Sequence, residues 1–129
     1  MATNLFDNAI SLLDSGTVDL QNGDPKSTVY TVPPKKKAVI TMIIIREPTV
    51  SLAGGTDFDF GAGANADDFK QTVNLATLIG TNDYYVLTND NTLITQVYVA
   101  GETFGVKPAT GATLDAQAIM DVFGYEYDA

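Results

Sequence analysis

Short runs of β-branched and aromatic residues, separated by glycine, proline, asparagine and aspartate, dominate this chain from Ser27 onward. Such runs suit the pleated, half-buried surface of a strand, and the residues between them are those that tight turns require. The runs number about eight and follow one another at short, regular spacing. An α/β fold needs helices of about 10 to 15 residues between its strands. The sequence therefore predicts an all-β fold, an antiparallel and jelly-roll-like β-sandwich.

The predicted strands differ in how they are covered. The run 38–45 is apolar on both faces in its second half, which places it in the middle of a sheet and covered on both sides there. The segments 84–88 and 93–99 are predicted to form a hairpin across a turn at 89–91. A single helix is predicted over 68–78, capped by Asn65 or Asp67. The other predicted strands are 28–32, 49–52, 57–60, 102–106 and 114–125.

The beginning of the chain is the hardest part to interpret. Residues 1–24 are set apart as an N-terminal arm or extension, and residues 25–129 form the sandwich domain. The spacing of Phe6, Ile10 and Leu13 fits one face of a helix, with an irregular arm or a short strand as alternatives. The first residues also lack the positive region and the long apolar segment of a secretory signal.

Composition excludes several classes of function. The chain has no cysteine and no histidine, so disulfides, thiolate metal sites and a Ser-His-Asp triad cannot be built. Its net charge of −9 repels DNA and anionic lipid, and its longest apolar run is far too short to span a bilayer. Lys35-Lys36-Lys37 is a local exception, which we interpret as a turn between strands rather than a phosphate contact. We predict a protein that is not an enzyme and has no cofactor, nucleic-acid partner or membrane partner.

Acidic residues are the remaining candidates for chemistry. Asp57 and Asp59 lie two apart and share one face of a strand, as a catalytic acid pair could. Aspartate and asparagine side chains also supply the hard oxygen ligands that calcium prefers, but their spacing does not match an EF-hand. We favour a solvated strand face and turn residues for this set, and we predict no metal site. The residues considered are Asp57, Asp59, Asp67, Asp68, Asn82, Asp83, Asn89 and Asp90.

Two stretches, taken in order, carry a likeness to a known class of protein. The first is TVYTVPPKKKAVI at 28–40, and the second is AGETFGV at 100–106 followed by IMDVFGY at 119–125. They resemble the "lytVPagkkavvt" start and the "aGdtf.vkv…a.vdvfGY" ending of many small structural proteins of tailed bacteriophages. The usual Pro-Ala-Gly turn is replaced here by Pro33-Pro34-Lys35, which puts the geometry of that turn in question.

The resemblance implies a virion component, assembled in the host cytoplasm. It suggests a capsid decoration or cement protein, or a head or tail accessory, and it transfers no catalytic residues. The implied partners are the major capsid protein or other virion subunits. Because capsid sites are symmetric, we also expect a small homo-oligomer, with a trimer as the first expectation.

The candidate partner-binding residues are apolar or aromatic side chains of the N-terminal segment and of predicted strand ends. Each well-buried apolar anchor contributes about 1.5–3 kcal/mol to such a contact. Tyrosines suit a sugar as well as a protein neighbour, so a carbohydrate-binding or tail or fibre accessory module is the alternative function. Core or rim positions are the structural alternative for the tyrosines. The candidates are Leu5, Phe6, Ile10, Leu12, Leu13, Tyr84, Tyr85, Tyr125 and Tyr127.

Overall fold

The computed structural model describes residues 10–88 and 96–129, and these form two antiparallel sheets. The all-β prediction is confirmed: the described residues contain strands and turns, and none of them belongs to a helix that could cross a membrane. The strands are β1 (Ser11–Asp19), β2 (Ser27–Thr31), β3 (Lys36–Arg46), β4 (Asp57–Ala62), β5 (Lys70–Val73), β6 (Tyr84–Thr88), β7 (Tyr98–Val99), β8 (Thr103–Thr110) and β9 (Gln117–Asp128).

The strand order is that of a jelly roll. The pairs β1·β9, β2·β8, β3·β6 and β4·β5 are nested, as in one long antiparallel hairpin. The hairpin is rolled up, so that β9 also pairs with β3 and β8 also pairs with β4. One sheet therefore has the order β1-β9-β3-β6, with the short β7 also on β3, and the other has the order β2-β8-β4-β5. Two interlocked Greek keys of this kind define the jelly-roll sandwich.

The core lies between the two sheets and follows the two-residue alternation of the strands. Phe58 and Phe60 of β4 are completely buried, whereas Asp57 and Asp59 point away from the core. Phe104 of β8 is central, because its ring packs edge-on against two other aromatic rings. The centroid distances are 5.4 Å to Phe69 and 5.3 Å to Tyr98. The β1-β9-β3-β6 sheet contributes Val18, Ala38, Ile40, Ile43, Ile45, Leu87, Ala118, Met120 and Val122.

The predicted helix over 68–78 is wrong. Residues 70–73 form strand β5 on the edge of the second sheet, and turns follow. Distant acceptors occupy the backbone N–H groups that a helix would use: Thr72 donates to the Asp59 carboxylate at 3.0 Å, and Leu75 donates to the Gly55 carbonyl at 3.0 Å. Thr72 is also left-handed, with φ of 56°, which a right-handed helix does not allow.

The predicted hairpin of 84–88 with 93–99 is also wrong for the described residues. Strands β6 and β7 both pair with β3, one after the other along its length, rather than with each other. The predicted turn at 89–91 lies outside the described residues. The segment 49–52 is not a strand either, because Thr49 and Leu52 make isolated hydrogen bonds to Gln117 and Leu78 instead of a ladder.

The sequence predicts a strand over 102–106, but β8 continues beyond it through Pro108. A proline cannot donate to a ladder, so it is tolerated only where a strand has a free edge or a bulge. Both conditions hold here: β2 pairs with β8 only as far as Val106, and the pairing with β4 shifts register between Asp57 and Phe58, beside the proline.

The N-terminal segment contains a strand. Ser11–Asp19 is β1, the edge strand that pairs with β9, so the strand alternative holds for these residues. Leu5 and Phe6 lie outside the described residues. The division of the chain at residue 24 stays a prediction, but any arm that extends from the sandwich precedes β1.

The Pro33-Pro34-Lys35 turn keeps a tight geometry without its usual glycine. Lys36 donates its N–H to the Pro33 carbonyl at 3.2 Å, and Lys35 has φ of 63° at the third position of the turn. A positive φ at that position is typical of a type II turn, where glycine is preferred. The lysine stretch therefore begins with a turn, as predicted, and continues into β3.

Replacing Lys35 with glycine is expected to raise the free energy of unfolding by about 0.5 kcal/mol. The left-handed conformation costs a lysine about 1 kcal/mol, and the greater freedom of glycine in the unfolded chain offsets part of the gain. Urea denaturation measures the change. Lys35→Ala removes the same charge but keeps the Cβ atom, so it should give no gain, and an equal gain in both variants would contradict the backbone explanation.

Candidate interaction surface

The side of the β1-β9-β3-β6 sheet that points away from the core is the most unusual surface of the described residues. The side chains there belong to register positions that alternate with the buried ones. We call this surface the outer face. It consists of Leu12, Ser15, Thr17 and Asp19 of β1, Gln117, Ile119, Asp121, Phe123, Tyr125 and Tyr127 of β9, Lys37, Val39, Met42, Ile44 and Arg46 of β3, Tyr84, Val86 and Thr88 of β6, and Val99 of β7.

Most residues of the outer face are apolar or aromatic, which is unexpected for the solvent side of an antiparallel sheet. Leu12 is 52% exposed and Val86 is 44% exposed, and Ile44 lies between them in the sheet. The opposite sheet shows the usual pattern, since its outward positions are polar. They include Thr28, Thr31, Asp57, Asp59, Thr103 and Lys107. The two sides of the sandwich are therefore chemically different, and the apolar side is the candidate interaction surface.

The structure places the predicted partner-binding residues on different sides of the sandwich. Leu12, Tyr84, Tyr125 and Tyr127 lie on the outer face, and the rings of Tyr125 and Tyr127 are 6.3 Å apart.

Leu13 and Tyr85 point the other way and pack, partly buried, against the core. Ile10 is exposed just before β1, while Leu5 and Phe6 lie outside the described residues. The role of all nine as partner contacts stays a prediction.

Sequence reasoning missed Phe123, Ile119 and Val86 as members of this surface. The available signal was the run Met42–Ile45, which is apolar at every position and so predicts a strand covered on both sides. The run does lie in a middle strand, and Ile43 and Ile45 are buried in the core. Which residues flank Met42 and Ile44 depends on the register with β9 and β6, and no local pattern reveals that register.

A hydrogen-bonded ion pair crosses the middle of the outer face. The Arg46 side chain of β3 donates from Nε to Asp121 Oδ2 of β9 at 2.7 Å, and Ser15 Oγ of β1 donates to Asp121 Oδ1 at 2.6 Å. Burial of the Asp121 carboxylate opposes its ionisation, but the hydrogen bonds from Arg46 and Ser15 overcome this and hold its pKa below the ordinary value. The three residues join three neighbouring strands, and Arg46 also pairs with Glu47, which follows β3.

Replacing Asp121 with asparagine is expected to lower the free energy of unfolding by about 2 kcal/mol near pH 7, since charged hydrogen bonds are lost. A depressed folded-state pKa stabilises the protein above the unfolded value of about 4, and this contribution disappears as the pH falls through the folded value. The difference between wild type and variant should therefore shrink in acid. Urea denaturation at about pH 7 and pH 3 measures it.

Asp115 provides the control, because Asp115→Asn makes the same chemical change at an exposed position just before β9. That variant should stay close to wild type in stability at neutral pH. An equal loss for Asp121→Asn at both pH values would contradict the role assigned to its charge.

Two of the other acidic candidates, Asp68 and Asp83, accept several hydrogen bonds. Asp83 accepts the N–H groups of Ile79 and Gly80, which agrees with its interpretation as a turn former. Asp68 accepts a local bond from the Ala62 N–H at 2.8 Å, but it also joins distant residues, through bonds from Tyr98 Oη at 2.9 Å and Gln96 Nε2 at 2.8 Å. Asn89 and Asp90 lie outside the described residues.

Asp57 and Asp59 do share the outward side of β4. Burial, together with the nearby carboxylate of Asp59, raises the pKa of Asp57. Among the residues that the structure describes, no group of three or more acidic side chains is placed to hold a metal ion.

The strand order and nested pairing define the class of this protein as a jelly-roll β-sandwich. Neither a protein-family model nor a curated protein matches the sequence. Among solved structures, the chain is similar to one in the cyanophage Pam1 capsid asymmetric unit, with a TM-score of 0.57 and 12% sequence identity. The similarity covers 97% of this chain and 91% of that chain. At this identity it establishes the shared fold.

Proposed function

We propose that this protein is a structural component of a bacteriophage virion that binds the capsid surface as a decoration or cement protein. The observation that carries the proposal is the fold: nearly the whole chain superposes on nearly the whole of a chain from a phage capsid assembly. The two sequence stretches that resemble phage structural proteins, 28–40 and 100–125, support the same function.

The surface chemistry of the sandwich agrees with an adhesive role rather than a catalytic one. The chain contains no cysteine or histidine, and acidic side chains such as Asp68 and Asp83 accept hydrogen bonds from backbone N–H groups. Meanwhile the outer face and the N-terminal segment offer apolar contact area. In this proposal the coat subunits are the partners, the virion is the location, and the protein is not an enzyme.

The N-terminal segment is the proposed anchor to the coat. Ile10 is exposed and directly precedes β1, an edge strand of its sheet. Leu5 and Phe6 supply apolar area in this segment. Burial of each against a coat subunit contributes about 1.5–3 kcal/mol, so loss of both weakens binding by at least about 100-fold.

Co-sedimentation with coat-protein shells from the same phage tests the proposal. Wild type should pellet with the shells, and Leu5→Ser combined with Phe6→Ser should stay in the supernatant while its circular dichroism is unchanged. The matched control is Asn4→Ser combined with Asn8→Ser, which alters the same segment at polar positions and should still pellet. Failure of the wild-type chain to pellet would reject the proposed function.

Carbohydrate binding is a second candidate because of one feature of the outer face. Tyr125 and Tyr127 line a shallow depression together with Val39 and Val97, and the two rings are inclined by 40°. Tyrosine rings in such a depression suit the apolar side of a sugar. A glycan array on the purified protein tests this function, which requires binding that is lost in Tyr125→Ala and is insensitive to salt. A tail or fibre accessory module that binds a sugar would use the same depression.

A further inference from the structure

The outer face is large enough to be a protein interface. No strand or loop of the described residues packs over it, although Leu12, Val86 and Tyr84 project from it. The strands of this sheet have 9, 12, 11, 5 and 2 residues, so with about 3.4 Å per residue and about 4.8 Å between strands the sheet side measures roughly 640 Å². Two such sides together give about 1,300 Å², which lies at the lower end of the range for specific, stable protein interfaces.

Charge favours a second copy of the same chain as the partner that covers the outer face. Each copy carries a net charge of −9, so two copies repel each other wherever their acidic surfaces meet. The carboxylates of the outer face are Asp121, which pairs with Arg46, and Asp19 at one end of the face. Two like-charged chains can therefore approach at this face with little repulsion. The polar side of the opposite sheet, with Asp57 and Asp59, lacks this property.

The two ends of the outer face carry opposite charges. Lys37 lies at one end, where β3 begins. The other end carries Glu47, which follows β3 and shares Arg46 with Asp121, and Asp19, the last residue of β1, on the far side of β9. When two copies meet face to face with their β3 strands antiparallel, the lysine end of one copy covers the acidic end of the other. A two-fold axis generates this arrangement, and it makes both ends complementary at once.

We propose that a second copy of this chain covers the outer face, with the two sheets packed face to face and antiparallel around a two-fold axis. The apolar residues at the centre of the face form the dry part of the interface. Lys37 of each copy lies against Glu47 and Asp19 of the other. This pairing does not depend on capsid binding, so it can hold or fail separately from the proposed function.

Zero-length carbodiimide cross-linking of the wild-type protein tests the arrangement directly. Lys37 and Glu47 lie ten positions apart along an extended strand, about 33 Å, so their side chains cannot be joined within one chain. Peptide mass spectrometry should find a Lys37–Glu47 or Lys37–Asp19 link only in the cross-linked dimer. Glu47→Gln should remove the first of these links and leave any unrelated links unchanged.

Substitutions on the two sheets supply an independent measurement, by light scattering on a sizing column. Leu12→Lys combined with Val86→Lys places ammonium groups on both edge strands of the outer face, at positions already exposed in the single chain. The control is Thr31→Lys combined with Gln71→Lys, on the exposed edge strands of the opposite sheet. Both double variants reduce the net negative charge equally, so general repulsion between copies falls in both.

We expect the wild-type protein and the control to have twice the mass of one chain, and the outer-face variant to have the mass of one chain. A monomeric wild type overturns the proposal, as does an outer-face variant that stays dimeric. A trimer, the first expectation from the sequence, also overturns it, because one two-fold axis relates only two copies. If circular dichroism shows that the outer-face variant does not fold, the cross-links of the wild-type protein decide whether the proposal holds.

Discussion

Replacing Phe104 with alanine is expected to lower the free energy of unfolding by about 4 kcal/mol. The side chain is 1% exposed and lies where strand β8 crosses the centre of the core. Its removal leaves a cavity that the surrounding strands fill only in part, which typically costs about 3–5 kcal/mol for a buried phenylalanine. The edge-on contacts with Phe69 and Tyr98 are lost as well, and each contributes about 0.5–1.5 kcal/mol.

Urea denaturation followed by circular dichroism measures this loss. A domain of this size has a total stability of about 5–15 kcal/mol, so the variant should unfold at a much lower urea concentration than wild type. Phe104→Leu is the matched control, since it keeps an apolar side chain in the same place and should lose no more than about half as much. A loss under about 2 kcal/mol in Phe104→Ala would contradict the central position of this ring.

Phe104 also illustrates what the sequence could reveal. It belongs to one of the two stretches that resemble phage structural proteins, and so do Gly101 and Gly124. Gly101 has φ of 87° in the turn before β8, and Gly124 lies where β9 passes close to β3. All three residues therefore act in folding rather than in chemistry. The likeness in these stretches therefore rests on residues that shape the fold.

The strands were predictable where side chains alternate clearly. Phe58 and Phe60 between aspartates, and Met120 and Val122 on β9, are buried as the two-residue period requires. Prediction failed where distant contacts decide the local structure. The segment 68–78 has apolar residues at helical spacing, but carbonyl and carboxylate groups of β4 and its preceding loop take its backbone donors.

The candidate surface was only partly predictable for a related reason. The segment 42–45 shows that β3 is apolar on both sides. Its neighbours β9 and β6 lie far along the sequence, so the segment does not reveal which of their residues lie beside it. A shift of one residue in register would have turned Phe123 and Val86 into the core. Tyr84 and Tyr85 could not both belong to the outer face, because adjacent residues of one strand face opposite sides of the sheet.

The second large effect is expected for Gly124→Ala, which should lower the free energy of unfolding by about 3 kcal/mol. A Cβ atom on Gly124 would overlap the carbonyl oxygen of Val39 and crowd the backbone of Ile40 on the neighbouring strand. The obstacle is backbone, so no side-chain rotation relieves it, and the strands must move apart. The pairing of β3 with β9 lies in the middle of the sheet, beside the bulge between Ile40 and Met42.

Gly16 of β1 allows the backbone explanation to be separated from a general effect of alanine in a strand. It lies in the same sheet, opposite Met120, and a Cβ atom there would meet only Val29 side-chain atoms at 3.8 Å or more. Gly16→Ala should therefore be neutral or raise the stability slightly, since alanine has less freedom in the unfolded chain. Thermal and urea unfolding of both variants make the comparison. Similar losses at the two positions would show that close strand approach is not what requires glycine at residue 124.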